Sequence, residues 1–184
     1  MKTYAILLRG VTPTGRNRVP MAELRIALAE AGLRDVRTYI QSGNVIARSG
    51  LDQAAVEALV HEVIARAIGA DIAILARTHA QLKYVMAHNP FPPEAASRTY
   101  FSLLAANPSA PLVEELRRLD FSPDDVRIVG SVIYTLYATK LSDSKFHNNF
   151  FERKLKVAAT TRNFNTLSRL VELSAMPAAQ HEER

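Results

Sequence analysis

Val36-Arg37-Thr38-Tyr39-Ile40-Gln41-Ser42-Gly43-Asn44-Val45-Ile46-Ala47-Arg48 is the stretch that decides the fold. Its ends are runs rich in β-branched and aromatic residues, and its middle is polar with one glycine. Val36 to Ile40 and Val45 to Arg48 therefore predict two strands around a tight Gln41–Asn44 turn, in which Gly43 supplies the positive φ. Strands joined so closely pair antiparallel.

On the N-terminal side, Met21, Leu24, Leu28 and Ala31 recur at helical spacing behind Pro20, placed at the first helical position, and Gly32 ends the run. Before that helix lies Gly10–Pro20, a loop carrying Arg16, Asn17 and Arg18, and before the loop the apolar run Tyr4–Arg9 predicts a strand. On the C-terminal side, Asp52 caps a helix with the stripe Val56, Leu59, Val60, Val63, Ile64 and Ala67, Gly69 stops it, and Ile72–Ala76 predicts a strand. Residues 1–77 thus read β-α-β-β-α-β, the ferredoxin-like order.

The order then recurs. Thr78–Ala87 predicts a short helix broken by Asn89-Pro90-Phe91-Pro92-Pro93, and Tyr100–Leu104 a strand. Leu112, Leu116 and Leu119 mark a helix, and Val126–Val129 with Val132–Tyr137 form a hairpin across Gly130-Ser131. Phe146–Lys156 and Thr166–Leu173 predict two more helices. Asp35-Val36-Arg37 and Asp125-Val126-Arg127 each open a hairpin after a Leu-rich helix. The expected fold class is α+β: two ferredoxin-like halves of βαββα type with an antiparallel or mixed sheet. The first spans 1–77, the second 78–173 with an extra C-terminal helix, and 174–184 forms a flexible tail.

Composition narrows the setting. The chain has 184 residues and no cysteine, so neither disulfides nor thiolate metal sites enter, as suits a reducing compartment. No run approaches the ~20 apolar residues that span a bilayer, and no secretory leader is evident. A cytoplasmic protein without a membrane partner is expected. The net charge is +5 and unevenly spread. Residues 1–50 hold eight basic against three acidic side chains, and residues 140–169 hold seven against two. Brought together by the fold, these blocks would make a surface suited to phosphate, nucleic acid or an acidic partner.

Several motifs bear on that expectation. Gly10-Val11-Thr12-Pro13-Thr14-Gly15-Arg16-Asn17 has the glycine spacing of a P-loop, but Arg16 stands for its lysine, Asn17 for its Ser/Thr, and the helix starts too late. It reads instead as a loop offering Arg16 and Arg18 to an anion. Gln41 and Asn44 can hydrogen-bond a ligand at the sheet's end, beside their role in the turn. Ser144 reads as the cap of the Phe146 helix, which puts Lys145 in a first turn where its charge is unfavourable unless it meets an anion. In Thr160-Thr161-Arg162-Asn163-Phe164-Asn165-Thr166, Asn163 or Asn165 caps the last helix, and Arg162 beside that start suits a phosphate or carboxylate. The five histidines form no metal-ligand pair, and no metal is expected. Asp124-Asp125 reads as a solvated turn. The third strand, Val45-Ile46-Ala47-Arg48, lacks the aromatics with which RNA-recognition modules stack bases.

Leu7-Leu8-Arg9-Gly10, Thr38-Tyr39-Ile40-Gln41-Ser42-Gly43-Asn44-Val45, Asn89-Pro90-Phe91-Pro92, Ser144-Lys145 and Thr160–Thr166 stand in the order and spacing of a known family. The chain closely resembles the bacterial domain of unknown function 1697 family over nearly its whole length. That family usually shows Gly-Ile-Asn-Val-Gly-Gly-Lys-Asn after its first strand, where this chain has Val11, Thr12, Pro13, Thr14 and Arg16. The resemblance implies an α+β fold of ferredoxin-like parts and no assigned activity or cofactor. Its signature positions map to Arg9, Gln41, Asn44, Ser144, Lys145, Arg162, Asn163 and Asn165. The leading expectation is a binding module for a phosphate-bearing ligand, nucleic acid or nucleotide, with Arg162 and Lys145 neutralising the anion and Gln41 and Asn44 orienting it. Two alternatives stay open: a small enzyme on an anionic metabolite using Lys145, Arg162 and Arg9, and an adaptor anchored by Phe146, Phe150 and Phe151. The sequence assigns no catalytic residue and no oligomeric state.

Overall fold

The computed structural model describes residues 1–12, 14–15 and 17–175. The chain falls into two compact units. One is Met1–Lys83 together with the segment from Leu170 onward; the other is Tyr84–Arg169.

The first unit begins with β1 (Lys2–Leu8), α1 (Met21–Glu30), β2 (Arg34–Tyr39), β3 (Asn44–Ser49), α2 (Gln53–Ile68) and β4 (Ile74–Thr78), followed by α3 (His79–Ala87). Its sheet has the order β2-β3-β1-β4, with every neighbouring pair antiparallel. Tyr4, Ile6 and Leu8 of β1 share a core with Leu24 and Leu28 of α1 and Val56, Val60 and Ile64 of α2. Each fully buried aliphatic chain there contributes about 1.5–3 kcal/mol. Ala5 and Leu7, on the other sheet face, are buried too, which explains why β1 reads as a continuous apolar run. Asp52 caps α2 by accepting the Ala55 N–H at 2.9 Å, and Gly69 ends it in the left-handed region. Pro20 takes the cap position of α1 rather than its first turn, because Met21 is the first helical residue. β2 carries a bulge between Arg34 and Arg37, where Asp35 adopts φ 52° and receives Arg48 Nη1 at 3.1 Å.

The second unit contains β5 (Thr99–Leu104), α4 (Ala110–Arg117), β6 (Asp125–Val129), β7 (Val132–Leu136), α5 (Asn148–Leu155) and β8 (Ala159–Asn163), with α6 (Phe164–Ala175) leaving it. Its sheet order, β6-β7-β5-β8, repeats that of the first, again fully antiparallel. Both units are therefore βαββαβ ferredoxin-like, one strand more than expected for the second. β8 comes from Ala159-Thr160-Thr161-Arg162-Asn163, read above as cap and loop. Its helix-side hydroxyl is satisfied within the sheet and helix layer: Ser102 and Thr161 share a 2.7 Å hydrogen bond, and Thr161 Oγ1 donates to Asn148 Oδ1 at 3.1 Å. Leu104, Ile133, Phe146, Phe151 and Leu155 form the core, and Phe150 packs on its edge. Of the phenylalanines considered as adaptor anchors, Phe146 and Phe151 are thus interior and Phe150 is half-buried.

α6 starts in the second unit and finishes in the first. Its last carbonyls meet two first-unit cations or donors: Arg37 Nη2 donates to Leu173 O at 3.1 Å, and His79 Nδ1 lies 3.1 Å from Val171 O. Ser174 and Ala175, read above as tail, belong to this helix; residues 176–184 lie outside the described residues.

Candidate functional site

In the first unit, β1 and β2 run parallel with β3 between them, so the end of β1, the β2–β3 turn and the start of α1 all lie at one end of the sheet. The turn is fastened there. Leu8 N–H donates to Gly43 O at 2.9 Å, and Asn44, opposite Leu7, is wholly buried. The Asn44 amide donates to Tyr39 O at 3.1 Å and Ser42 Oγ at 3.0 Å, so this residue shapes the turn rather than facing solvent. Gly43 has φ 77°, and a Cβ placed on it would stand 2.8 Å from Leu8 Cβ and 2.8 Å from Val11 Cγ2. Only glycine meets both demands.

The loop after β1 is held by its own bonds: Thr12 N–H to Asn17 O at 3.2 Å, Asn17 Nδ2 to Gly10 O at 3.2 Å, and Thr12 Oγ1 to Thr14 O at 2.6 Å. Between this loop, α1 and the turn are two adjoining hollows of about 440 and 350 Å³. Met21, Ala22, Arg25, Val36, Arg37, Thr38 and Gln41 line the larger, and Gln41 and Ala22 belong to both. Thr12, Arg18, Val19 and Pro20 complete the smaller. Among the described residues, three arginines and no carboxylate line the pair. Arg18 and Arg25 are exposed and make no ion pair with any described residue. Arg37 is half-buried and already donates to Leu173 O.

In the second unit, Ser144 and Lys145 lie past β7, beside a cavity of about 290 Å³ lined also by Ser122, Asp124, Thr139, Asp143 and Phe146. Ser144 does not cap a helix. α5 starts at Asn148, with His147 at the cap position, and Ser144 Oγ instead donates to Asp124 Oδ2 at 2.6 Å while accepting Phe146 N–H at 3.0 Å. Asp124 also accepts Ala138 N–H at 2.8 Å, so it is a bonded node rather than a solvated turn residue. Lys145 therefore sits outside the first helical turn, and its ammonium stands 5.0 Å from the Phe146 ring centroid. The exposed Asp120 carboxyl is held below its usual range by the Ser122 amide and hydroxyl, with a smaller contribution from the Lys145 charge.

Arg162 is also interior. Only 8% exposed, it donates to Thr160 Oγ1 and Thr161 O, both at 2.8 Å, and burial pulls its pKa down to about 10. It remains a cation at neutral pH. Arg77 occupies the matching place in β4: each is the fourth strand's penultimate residue, and each is buried. Asn163 Oδ1 accepts Thr166 N–H at 2.8 Å and caps α6, whereas Asn165 is exposed.

Of the residues singled out from sequence, Arg9, Gln41 and Asn44 belong to the first unit, and Ser144, Lys145, Arg162, Asn163 and Asn165 to the second. Arg16 lies outside the described residues. Gln41 and Lys145 present exposed polar groups to hollows, while Asn44 and Arg162 are interior. Sequence reading passed over Arg25 and Arg37. The i, i+3 spacing of Ala22 and Arg25 on α1 was a usable sign, since it puts both on one flank. Among the described residues no group of three or more His, Cys, Asp or Glu is placed to hold a metal. Among the described residues no helix is long and apolar enough to cross a membrane.

Two antiparallel βαββαβ sheets in tandem, without a metal cluster or P-loop sheet among the described residues, define a duplicated ferredoxin-like α+β protein. The chain belongs to the family described as Protein of unknown function (DUF1697), which it matches over residues 1–134. It is similar in fold to the conserved bacterial protein SP0830 from Streptococcus pneumoniae, at 19% identity and a TM-score of 0.73. That likeness covers 94% of this chain and 98% of the other. No curated protein matches the chain.

Proposed function

We propose that the first unit binds a phosphate-bearing ligand at the end of its sheet, between the β2–β3 turn and the start of α1. One observation carries the reading: among the described residues, the adjoining hollows that share Gln41 are lined by Arg18, Arg25 and Arg37 and by no carboxylate. Guanidinium groups suit phosphate oxygens because their planar donors form paired, charge-assisted hydrogen bonds. The Gln41 amide, common to both hollows, fixes the ligand's orientation. This site requires nothing from Lys145 or Arg162.

The test is titration of the whole protein with inorganic phosphate and ribose phosphate at several salt concentrations. Arg25→Ala and Arg18→Ala each weaken binding by roughly tenfold, the worth of one charged hydrogen bond. Affinity falls as salt rises. Binding that is indifferent to both substitutions would refute the assignment.

A further inference from the structure

The connection before β6 and the connection after β7 lie at one end of the second sheet, because Asp125 at the start of β6 pairs with Leu136 at the end of β7. Between them is the cavity of about 290 Å³. That is the small end of the range for small-ligand sites, roughly 300–1,000 Å³. Its floor is fixed by hydrogen bonds: Asp124 accepts Ala138 N–H and the Ser144 hydroxyl, and Ser144 accepts Phe146 N–H. Its rim carries two charges that are left open. Lys145 and Asp143 both line the cavity and stand two residues apart, yet they form no ion pair with each other. The exposed Lys145 ammonium has the Phe146 ring at 5.0 Å and makes no hydrogen bond or ion pair with any described residue. Asp120 feels its charge only from beyond ion-pair distance. Asp143 is also exposed; Ser142 donates to one of its oxygens at 3.1 Å and Thr139 to the other at 3.4 Å. Each of those oxygens has room for a second bond.

The lining disfavours ligands of a single charge. An anion alone would meet Lys145 but also the carboxylates of Asp124 and Asp143, and a cation alone would meet the lysine. A small molecule bearing both charges close together satisfies both rim groups at once. We propose that the second unit binds a free α-amino acid in this cavity, its carboxylate on Lys145 and its ammonium on Asp143. The Asp124–Ser144 pair is the rigid floor, and Phe146 supplies the apolar part of the lining. The cavity lies wholly within Tyr84–Arg169 and uses none of the first unit's arginines, so this site stands or falls apart from the phosphate site.

The experiment screens each common L-amino acid singly against the whole protein by ligand-observed NMR. The tightest binder is then titrated beside its N-acetyl derivative, which lacks the ammonium, and its amide, which lacks the carboxylate. Each derivative binds the native protein roughly tenfold more weakly, the worth of one charged hydrogen bond. Lys145→Met weakens the amino acid by a similar factor and abolishes the discrimination against the amide alone. Asp143→Asn abolishes the discrimination against the N-acetyl derivative alone. Both residues are exposed, so unfolding midpoints stay at the native value, and Arg25→Ala leaves amino-acid affinity unchanged. If no amino acid binds, the proposal is overturned. If the N-acetyl derivative or the amide binds as well as the parent, the cavity reads one charge only and the proposal is overturned. It is also overturned if both substitutions weaken all three ligands alike.

Discussion

Replacing Gly43 with alanine tests the anchoring of the turn on which the proposed site depends. Two separate costs arise. At φ 77° an alanine pays about 1–2 kcal/mol that glycine does not. Its Cβ would also stand 2.8 Å from Leu8 Cβ and 2.8 Å from Val11 Cγ2. Leu8 Cβ is fixed by the central strand, so relief requires the turn itself to move off β1, stretching the Leu8–Gly43 hydrogen bond of 2.9 Å. Overpacking of this kind costs about 1–3 kcal/mol. Together they give about 3 kcal/mol, a drop in midpoint of roughly 6–12 °C for a chain of this size. Gly32 provides the control. Its φ is 95°, and an added Cβ meets nothing within 4 Å, so Gly32→Ala carries the backbone cost alone. Urea unfolding of both variants, with amide exchange in β1 to report on the first unit, separates the two contributions. A Gly43→Ala protein no less stable than Gly32→Ala would show that the close approach to Leu8 and Val11 is not a constraint.

Other expectations are narrower. Asn163→Ala removes the cap of α6 and lowers stability by about 1 kcal/mol, whereas the exposed Asn165→Ala changes it by less than about 0.5 kcal/mol, as thermal unfolding will show. Ser144→Ala leaves both Asp124 and the Phe146 amide a partner short and costs about 1–3 kcal/mol by urea denaturation; the same loss in a Ser144→Ala, Asp124→Asn double variant as the sum of the singles would deny their coupling. Burial pushes the Tyr134 phenol up to about 12, above its unfolded value of 10.0. The stability this represents is present in full below pH ~10 and is lost as pH rises toward 12, because only the unfolded chain releases the proton there. Alkaline unfolding followed by tyrosinate absorbance will show that slope, and Tyr134→Phe will reduce it, the remainder coming from Tyr137, whose phenol burial also raises. Arg37→Met removes the donor at Leu173 O, so amide exchange in the last turn of α6 accelerates while α2 stays protected.

The first unit was largely legible because its signals agree at every level. The β2–β3 turn has its glycine, α2 has its Asp52 cap and Gly69 stop, and the apolar stripes match the observed core. β8 was not legible. Its five residues are mostly polar, and their polarity is absorbed by partners remote in sequence, such as Ser102, fifty-nine residues from Thr161. Periodicity cannot register such pairing. The same limit applies to Ser144, which reads as a helix cap until Asp124 is seen to hold it. Gln41 was identifiable as a candidate from its turn, but Arg25 and Arg37 become neighbours of Gln41 only through tertiary packing. Asn44 and Arg162 drew notice as polar residues in polar surroundings, and only their burial reveals structural duties.

The route of α6 sets an order for the protein's birth. A ribosome releases residues 1–83 first, yet Leu173 and Val171, which receive Arg37 and His79, emerge only after the whole intervening unit. The nascent N-terminal half must therefore wait for its final turn of helix, and deletions at the C-terminal end of α6 will injure the half made first.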